Sequence, residues 1–248
     1  MLKTLLTNLR MKGALLAYES LQKIEDKNDF ATAVLQAEYD YKQQLLTERR
    51  LKKATFSIDK EWHEIDPALN PTIDFKRVQA FGNGEFVEKK ENLCLVGKQG
   101  TGKSHCLIAL GRQLCLSGYS VKFYTACGLV NALEEAKTQN KLMQFMKTVI
   151  EPSLLCIDEL GFVPFTENGA RLLFDVFASR YEKGSIAVST NLTFDKWAQV
   201  FGSVELTAAL VDRFTHRSHT VVYEGDSVRF MQATQNKKRE NIGRPKNG

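Results

Sequence analysis

Long apolar runs are missing from this sequence. No stretch reaches the roughly 18 to 20 consecutive apolar residues needed to span a bilayer. The opening Met1-Leu2-Lys3-Thr4-Leu5-Leu6-Thr7-Asn8 is interrupted by polar residues too often for a signal-peptide core. These absences lead to the expectation of a cytoplasmic protein with no membrane partner. Paired cysteines are missing too. The five cysteines, Cys94, Cys106, Cys115, Cys127 and Cys156, form no Cys-x-x-Cys pair and mostly sit inside apolar stretches. An odd count without metal-ligand spacing reads as reduced, packed thiols, which disfavours thiol catalysis and a cysteine metal site. There is no internal repeat or low-complexity tract, and a net charge of +5 is too mild to mark a nucleic-acid partner by itself.

What is present suits one full α/β domain and a smaller appendage: 248 residues, 43% hydrophobic and 25% charged. Residues 1–57 read as a small helical domain. Leu2, Leu5, Leu6 and Leu9 keep the spacing of an amphipathic helix face, and a second periodic stretch from Phe30 to Lys53 carries Val34, Tyr41 and Leu45 along one stripe. From 58 to 80 the chain changes character. Pro67, Asn70-Pro71 and then Gly82-Asn83-Gly84 punctuate it, which predicts a linker into a second domain over 81–235.

That second domain alternates. Short apolar runs at 93–96, 121–125, 153–159, 185–190 and 220–223 read as strands, and helical stretches are predicted over 103–117, 129–150 and 167–181. Strands separated by helices predict a doubly wound parallel sheet. Basic residues cluster in Arg49-Arg50-Leu51-Lys52-Lys53 and in the tail 236–248, where Lys237, Lys238, Arg239, Arg244 and Lys246 face only Glu240. A solvated helix face with a disordered tail and a phosphate-backbone contact are both open readings of these runs.

The chemistry begins at Gly97-Lys98-Gln99-Gly100-Thr101-Gly102-Lys103-Ser104, an ungapped G-x-x-x-x-G-K-[ST] between a predicted strand and a predicted helix. In such a loop the glycines let successive backbone N–H groups turn inward as an anion nest at a helix N-terminus. Lys103 then reaches the β and γ phosphates and the Ser104 hydroxyl ligates Mg²⁺. Asp158 and Glu159 end the third apolar run. An acid at the end of a neighbouring strand holds Mg²⁺, the role expected of Asp158, and the adjacent Glu159 can polarise a water for attack on the γ-phosphate. That second acid favours a hydrolase over a phosphate-transferring kinase.

Asn191 follows the fourth run and reads either as a turn former or as a group orienting the attacking water. Arg213 and Arg229 are candidates for stabilising transferred charge, with surface ion pairing as the competing reading. The nearest approach to a guanine-reading Asn-Lys-x-Asp is Asn140-Lys141-Leu142-Met143, which lacks the acid, so adenine is the expected base.

Taken together, 97–104, 154–161, Ser189-Thr190-Asn191 and Arg213 resemble an AAA+ ATPase of the initiator and helicase-loader branch. Further stretches resemble the IstB-like helpers of insertion-sequence transposition. They are Leu9-Arg10-Met11-Lys12-Gly13, Arg180-Tyr181-Glu182, Phe194-Asp195-Lys196-Trp197, 209–214 and 225–229. The resemblance implies a P-loop sheet flanked by helices with a small N-terminal α-helical domain. It implies Walker A at Lys103 and Ser104, with Gly97, Gln99, Gly100, Thr101 and Gly102 around the phosphates. Asp158 and Glu159 would be Walker B and Asn191 sensor 1. Arg213 would be an arginine finger given to a neighbouring subunit, with Arg217 one turn away as the alternative, and Arg229 would be sensor 2.

The resemblance also implies ATP with Mg²⁺, a homo-oligomer with intersubunit ATP sites, double-stranded DNA and a transposase of the IstA type as partners. Residues 128–150 would match an insertion that faces DNA, which adds Lys137 and Lys141 to Arg49, Arg50, Lys52 and Lys53 as candidate DNA contacts. Lys98 departs from a frequent Pro, and Val228 from a frequent Tyr. A helicase loader of the DnaC kind shares the ATPase motifs and is the nearest rival. A P-loop kinase or non-hydrolysing nucleotide-gated module is the rival from another class.

Overall fold

The computed structural model describes residues 1–71, 73–225 and 227. Arg229, Val228 and the basic tail 236–248 lie outside the described residues. The chain divides into two compact units, Met1–Lys52 and one that begins at Lys53.

The first unit holds α1 (Leu2–Asn8), α2 (Lys12–Leu21) and most of α3 (Lys27–Ala54). Its core is thin: Leu6, Ala14 and Val34, with Met11, Leu15, Tyr18, Leu21 and Phe30 packed around them. Of the four leucines whose spacing predicts a buried face on α1, only Leu6 is buried, while Leu2, Leu5 and Leu9 are exposed. The helix is short, and Arg10, at φ 55°, turns the chain into α2 before a longer face can form. The buried carboxylate of Glu38 on α3 accepts the amides of Gly13 (2.7 Å) and Ala14 (3.2 Å), two of the N-terminal donors of α2 that no helical carbonyl can reach.

The second unit is built on five parallel strands: β1 (Asn92–Gly97), β2 (Val121–Thr125), β3 (Leu154–Leu160), β4 (Ser185–Thr190) and β5 (Ser218–Tyr223), in the order β2-β3-β4-β1-β5. Continuous apolar sequence marks a strand covered on both faces, and every residue of β4 is buried. The helices are α4 (Phe75–Ala80), α5 (Glu85–Glu88), α6 (Lys103–Leu116), α7 (Ala126–Thr138), α8 (Leu142–Ile150), α9 (Glu167–Arg180), α10 (Ala198–Phe201) and α11 (Val204–Thr215). Hydroxyl caps start three of them. Thr125 accepts from Gly128 N, Thr166 from Gly169 N and Ser203 from Leu206 N, which satisfies otherwise unpaired amides.

Two of the motif-bearing stretches prove structural. Trp197 is fully buried against Phe194, Phe201 and Phe214. Arg180 is only 1% exposed and donates to the carbonyls of Val149 (2.8 Å), Ile150 (2.9 Å), Ser153 (3.2 Å) and Ser185 (2.7 Å). Its burial lowers the guanidinium pKa to about 10.

Residues 58–80, whose turn residues predict a linker, fold onto the second unit. They carry 3₁₀ turns at Trp62–Glu64 and Pro67–Leu69 followed by α4, and Ile73 and Val78 are buried. Proline and asparagine mark where the chain bends but say nothing about whether the bent segment packs. The second compact unit begins at Lys53, within α3. Among the described residues no helix is long and apolar enough to cross a membrane.

Candidate nucleotide-binding site

Because β1 lies between β4 and β5, the chain leaves it for the far edge of the sheet and returns through β3 and β4. In open parallel sheets the carboxyl end of such a strand is where ligands sit. The loop 98–102 follows β1 at that end and opens α6. Gly100 (φ 75°) and Gly102 (φ 96°) take left-handed backbone that a side chain would oppose, and Gly102 is the N-cap of α6. Thr101 is buried and its hydroxyl donates to Lys98 O (2.9 Å). Lys103 is 8% exposed, and its ammonium donates to the carbonyls of Gly97 (2.7 Å) and Lys98 (2.6 Å), so the amine is held over the loop.

Two cavities meet this loop and share Gly100, Lys103 and Ser104. The smaller is also lined by Gln99, Glu159, Phe162, Ser189, Thr190 and Asn191. Here β3 is irregular: its register with β4 shifts between Ile157 and Leu160, and Glu159 takes φ 60°. In a regular strand Asp158 and Glu159 would point to opposite faces; a bulge re-aims a side chain. Asp158 is buried and Glu159 exposed. Ser189 on β4 joins them. Its hydroxyl donates to Asp158 Oδ1 and accepts the Glu159 amide (3.0 Å). Asn191 Oδ1 is buried with no hydrogen-bond partner.

The larger cavity, about 350 Å³, lies between the loop and the segment before it, with Ile58, Lys60, Ile65, Leu69 and Phe75 among its walls. The residue string gives no motif for this wall; the only signal is its apolar side chains at positions read as a linker. The wall is fastened to α6. Arg112 pairs with Asp59 (2.5 Å) and Glu61 (3.2 Å), Trp62 Nε1 donates to Gln113 Oε1 (2.6 Å), and His105 Nε2 lies 3.1 Å from Glu61 O.

A cavity of mixed apolar and polar walls on one side of a phosphate-type nest and a polar one carrying Glu159 on the other match the base and γ-phosphate ends of a nucleotide. The donor set also suits its magnesium: Ser104 and Asp158 are hard oxygen ligands, and the partnerless Asn191 oxygen is an acceptor that a water could satisfy. Among the described residues no cluster of three His, Cys, Asp or Glu could cage a metal ion. A magnesium that shares phosphate oxygens needs no such cage. Four of the five cysteines are buried, and burial raises the Cys94 thiol to about 12 and Cys106 to about 11, leaving both protonated.

The remaining candidates stand apart from these cavities. Arg213, exposed on α11, lays its guanidinium over the Phe174 ring at 5.3 Å. Arg217 lies 4.0 Å from Glu91, next to the amino end of β1 and opposite the phosphate loop. Helix α11 itself is not among the predicted helices. Arg49, Lys52, Lys53, Lys137 and Lys141 are exposed and Arg50 is half-buried. Lys137 donates to Asn168 and Lys141 to Gln139, so both carry local partners.

Residues 4–236 match the family model described as IstB-like ATP binding protein. The chain is similar to the ATP-binding protein of insertion sequence IS21 from Pseudomonas aeruginosa, at 34% identity over 93% of this chain and 89% of that one. Among solved structures it resembles the DnaC helicase loader in fold, with TM-score 0.53 and 20% identity over 60% of this chain and 87% of that one. It also resembles AMPPCP-bound DnaA from Aquifex aeolicus, with TM-score 0.52 and 25% identity over 69% of this chain and about half (52%) of that one. The parallel sheet, the phosphate loop and the match over nearly the whole sequence make this chain an ATP-binding member of the IstB-like family, on an AAA+ P-loop fold.

Proposed function

We propose that this chain hydrolyses ATP and uses the nucleotide cycle to assemble on double-stranded DNA and assist a transposase of the IstA type. One observation carries the hydrolytic part: Lys103, Ser104, Glu159 and Asn191 line a single cavity, with the β3 bulge placing an exposed glutamate beside a buried aspartate. In this reading the loop amides and Lys103 bind the β and γ phosphates, moving the ammonium from its loop carbonyls to phosphate oxygen. Ser104 and Asp158 would hold Mg²⁺, which would supply neutralisation of the phosphate charge. Glu159 accepts the proton of the attacking water, and Asn191 orients that water. The cavity between the loop and residues 58–75 takes adenine.

Arg213 lines neither cavity of its own subunit, which suits a guanidinium offered to a neighbour's γ-phosphate in a homo-oligomer. Arg229, outside the described residues, keeps its proposed sensor 2 role from the family pattern alone. The basic residues of α3 and of the α7–α8 region are the proposed DNA contacts, in a cytoplasmic protein.

The transposition part rests on whole-length similarity to insertion-sequence proteins. The likeness to a helicase loader is one of fold at 20% identity, which leaves that reading weaker. Glu159→Gln tests the hydrolytic core. Phosphate release is expected to fall about 10²- to 10⁴-fold while ATP and duplex DNA stay bound, as read by nucleotide titration and gel shift. Turnover that survives the change would remove Glu159 as the base. A gel shift with no DNA binding in ATP or its non-hydrolysable analogue would remove the DNA reading.

A further inference from the structure

The bulge that exposes Glu159 leaves a problem of its own. A residue with a Cβ is held at φ 60°, a conformation that L-residues avoid, and the register shift takes its amide out of the regular β3–β4 ladder. A part-buried amide left out of the ladder needs an acceptor from elsewhere. Ser189 supplies it. This side chain is 1% exposed, and its Oγ accepts the Glu159 N–H at 3.0 Å while donating its own proton to Asp158 Oδ1. A hydroxyl has one proton to give and lone pairs to receive. Here both capacities are spent on adjacent residues of one strand, one on a side chain and the other on a backbone.

The consequence is geometric. Asp158 and Glu159 are proposed to do different jobs, holding a metal and activating a water, and those jobs need a fixed distance and angle between the two carboxylates. The peptide joining them lies inside the bulge, where the β3–β4 register shifts. Ser189 ties that peptide and the first carboxylate to β4, the strand that Asn191 follows. The hydroxyl thus sets the acid pair and the water-orienting amide in one frame.

We infer that Ser189 is a positioning residue for ATP hydrolysis. Its hydroxyl locks the Asp158–Glu159 peptide in the bulged conformation that aims Glu159 into the site, so that it acts on turnover through Glu159 although it also lines the cavity. This rests on the hydrolytic reading above and adds to it a residue outside the Walker A, Walker B, sensor and finger positions. Alanine at this position removes both bonds and leaves the bulge backbone unsupported. Threonine keeps the hydroxyl.

The test compares the full-length protein with Ser189→Ala and Ser189→Thr. Ser189→Ala is expected to lower kcat on the order of 10²-fold, the cost of a misplaced reacting group. Affinity for a non-hydrolysable ATP analogue with Mg²⁺ should stay within about threefold, and the melting temperature should fall by no more than a few degrees. Ser189→Thr should recover most of the turnover. A second readout needs neither nucleotide nor activity: amide hydrogen exchange at Glu159 in the nucleotide-free protein should quicken about tenfold in Ser189→Ala.

Unchanged turnover in Ser189→Ala, or unchanged exchange at Glu159, would overturn the assignment. So would equal losses of turnover, nucleotide binding and melting temperature, since these would make Ser189 merely structural. A parent protein that releases no phosphate would defeat the hydrolytic reading instead, and the exchange rate at Glu159 alone would then decide whether Ser189 holds the bulge.

Discussion

On one side of the phosphate loop, residues 59–75 are fastened by bonds that water can reach: Arg112 to Asp59, which is 88% exposed, and Arg112 to Glu61, which is 53% exposed. On the other side, Asp158 and Glu159 are fastened by a hydroxyl sealed from solvent. Exposed ion pairs contribute about 0–1 kcal/mol and weaken with salt. A buried hydrogen-bonded group holds its geometry because losing a partner there strands polar atoms without water. The anchors at Asp59 and Glu61 are therefore the weaker ones, beside the part-buried Trp62–Gln113 bond, so the base-side wall is expected to yield more readily than the γ-side wall.

That contrast can be broken in graded steps. Asn191→Ala strikes the rigid side and should show the largest effect. Its turnover is expected to fall on the order of 10²-fold with nucleotide affinity nearly unchanged, read by phosphate release and analogue titration. A parallel loss of binding would mean that this wall serves affinity rather than chemistry. Trp62→Ala removes the indole bond to Gln113 from the yielding side. It should weaken nucleotide binding about tenfold while kcat at saturating ATP holds. The smallest effect belongs to Arg112→Ala, about threefold in affinity, and it should vanish in roughly 1 M salt where the ion pairs are already screened. An Arg112→Ala effect that persists in high salt would show that packing, not charge, fastens that wall.

The rigid side is also the side that the sequence displays. Residues 97–104 and Asp158-Glu159 are short contiguous strings whose neighbours, an apolar run before each and a helix after the first, fix their structural setting. Strands read over 121–125 and 185–190 coincide with β2 and β4 for the same reason. The yielding side is invisible in the string because it is made by contacts across long sequence gaps, such as Trp62 with Gln113 and Arg112 with Asp59. Ser189 is present in the sequence as one letter of Ser189-Thr190-Asn191. Its task depends on a bulge in another strand, and no periodicity reports a bulge. On α1 the spacing of Leu2, Leu5, Leu6 and Leu9 is helical as read, but periodicity does not say which leucine meets a core. Arg213 is legible only as an arginine, since the site proposed for it belongs to another copy of the chain.

Arg180 gives the second unit a mechanical property. Its guanidinium grips the last carbonyls of α8 together with those of Ser153 and Ser185, the residues at the starts of β3 and β4. Near their carboxyl ends those two strands carry Asp158, Glu159 and Ser189, and Asn191 follows the second. Separating α8 from these strands would break four hydrogen bonds, two of them buried. One buried side chain thus ties the end of α8 to the amino ends of the two strands whose far ends carry the acid pair and Ser189.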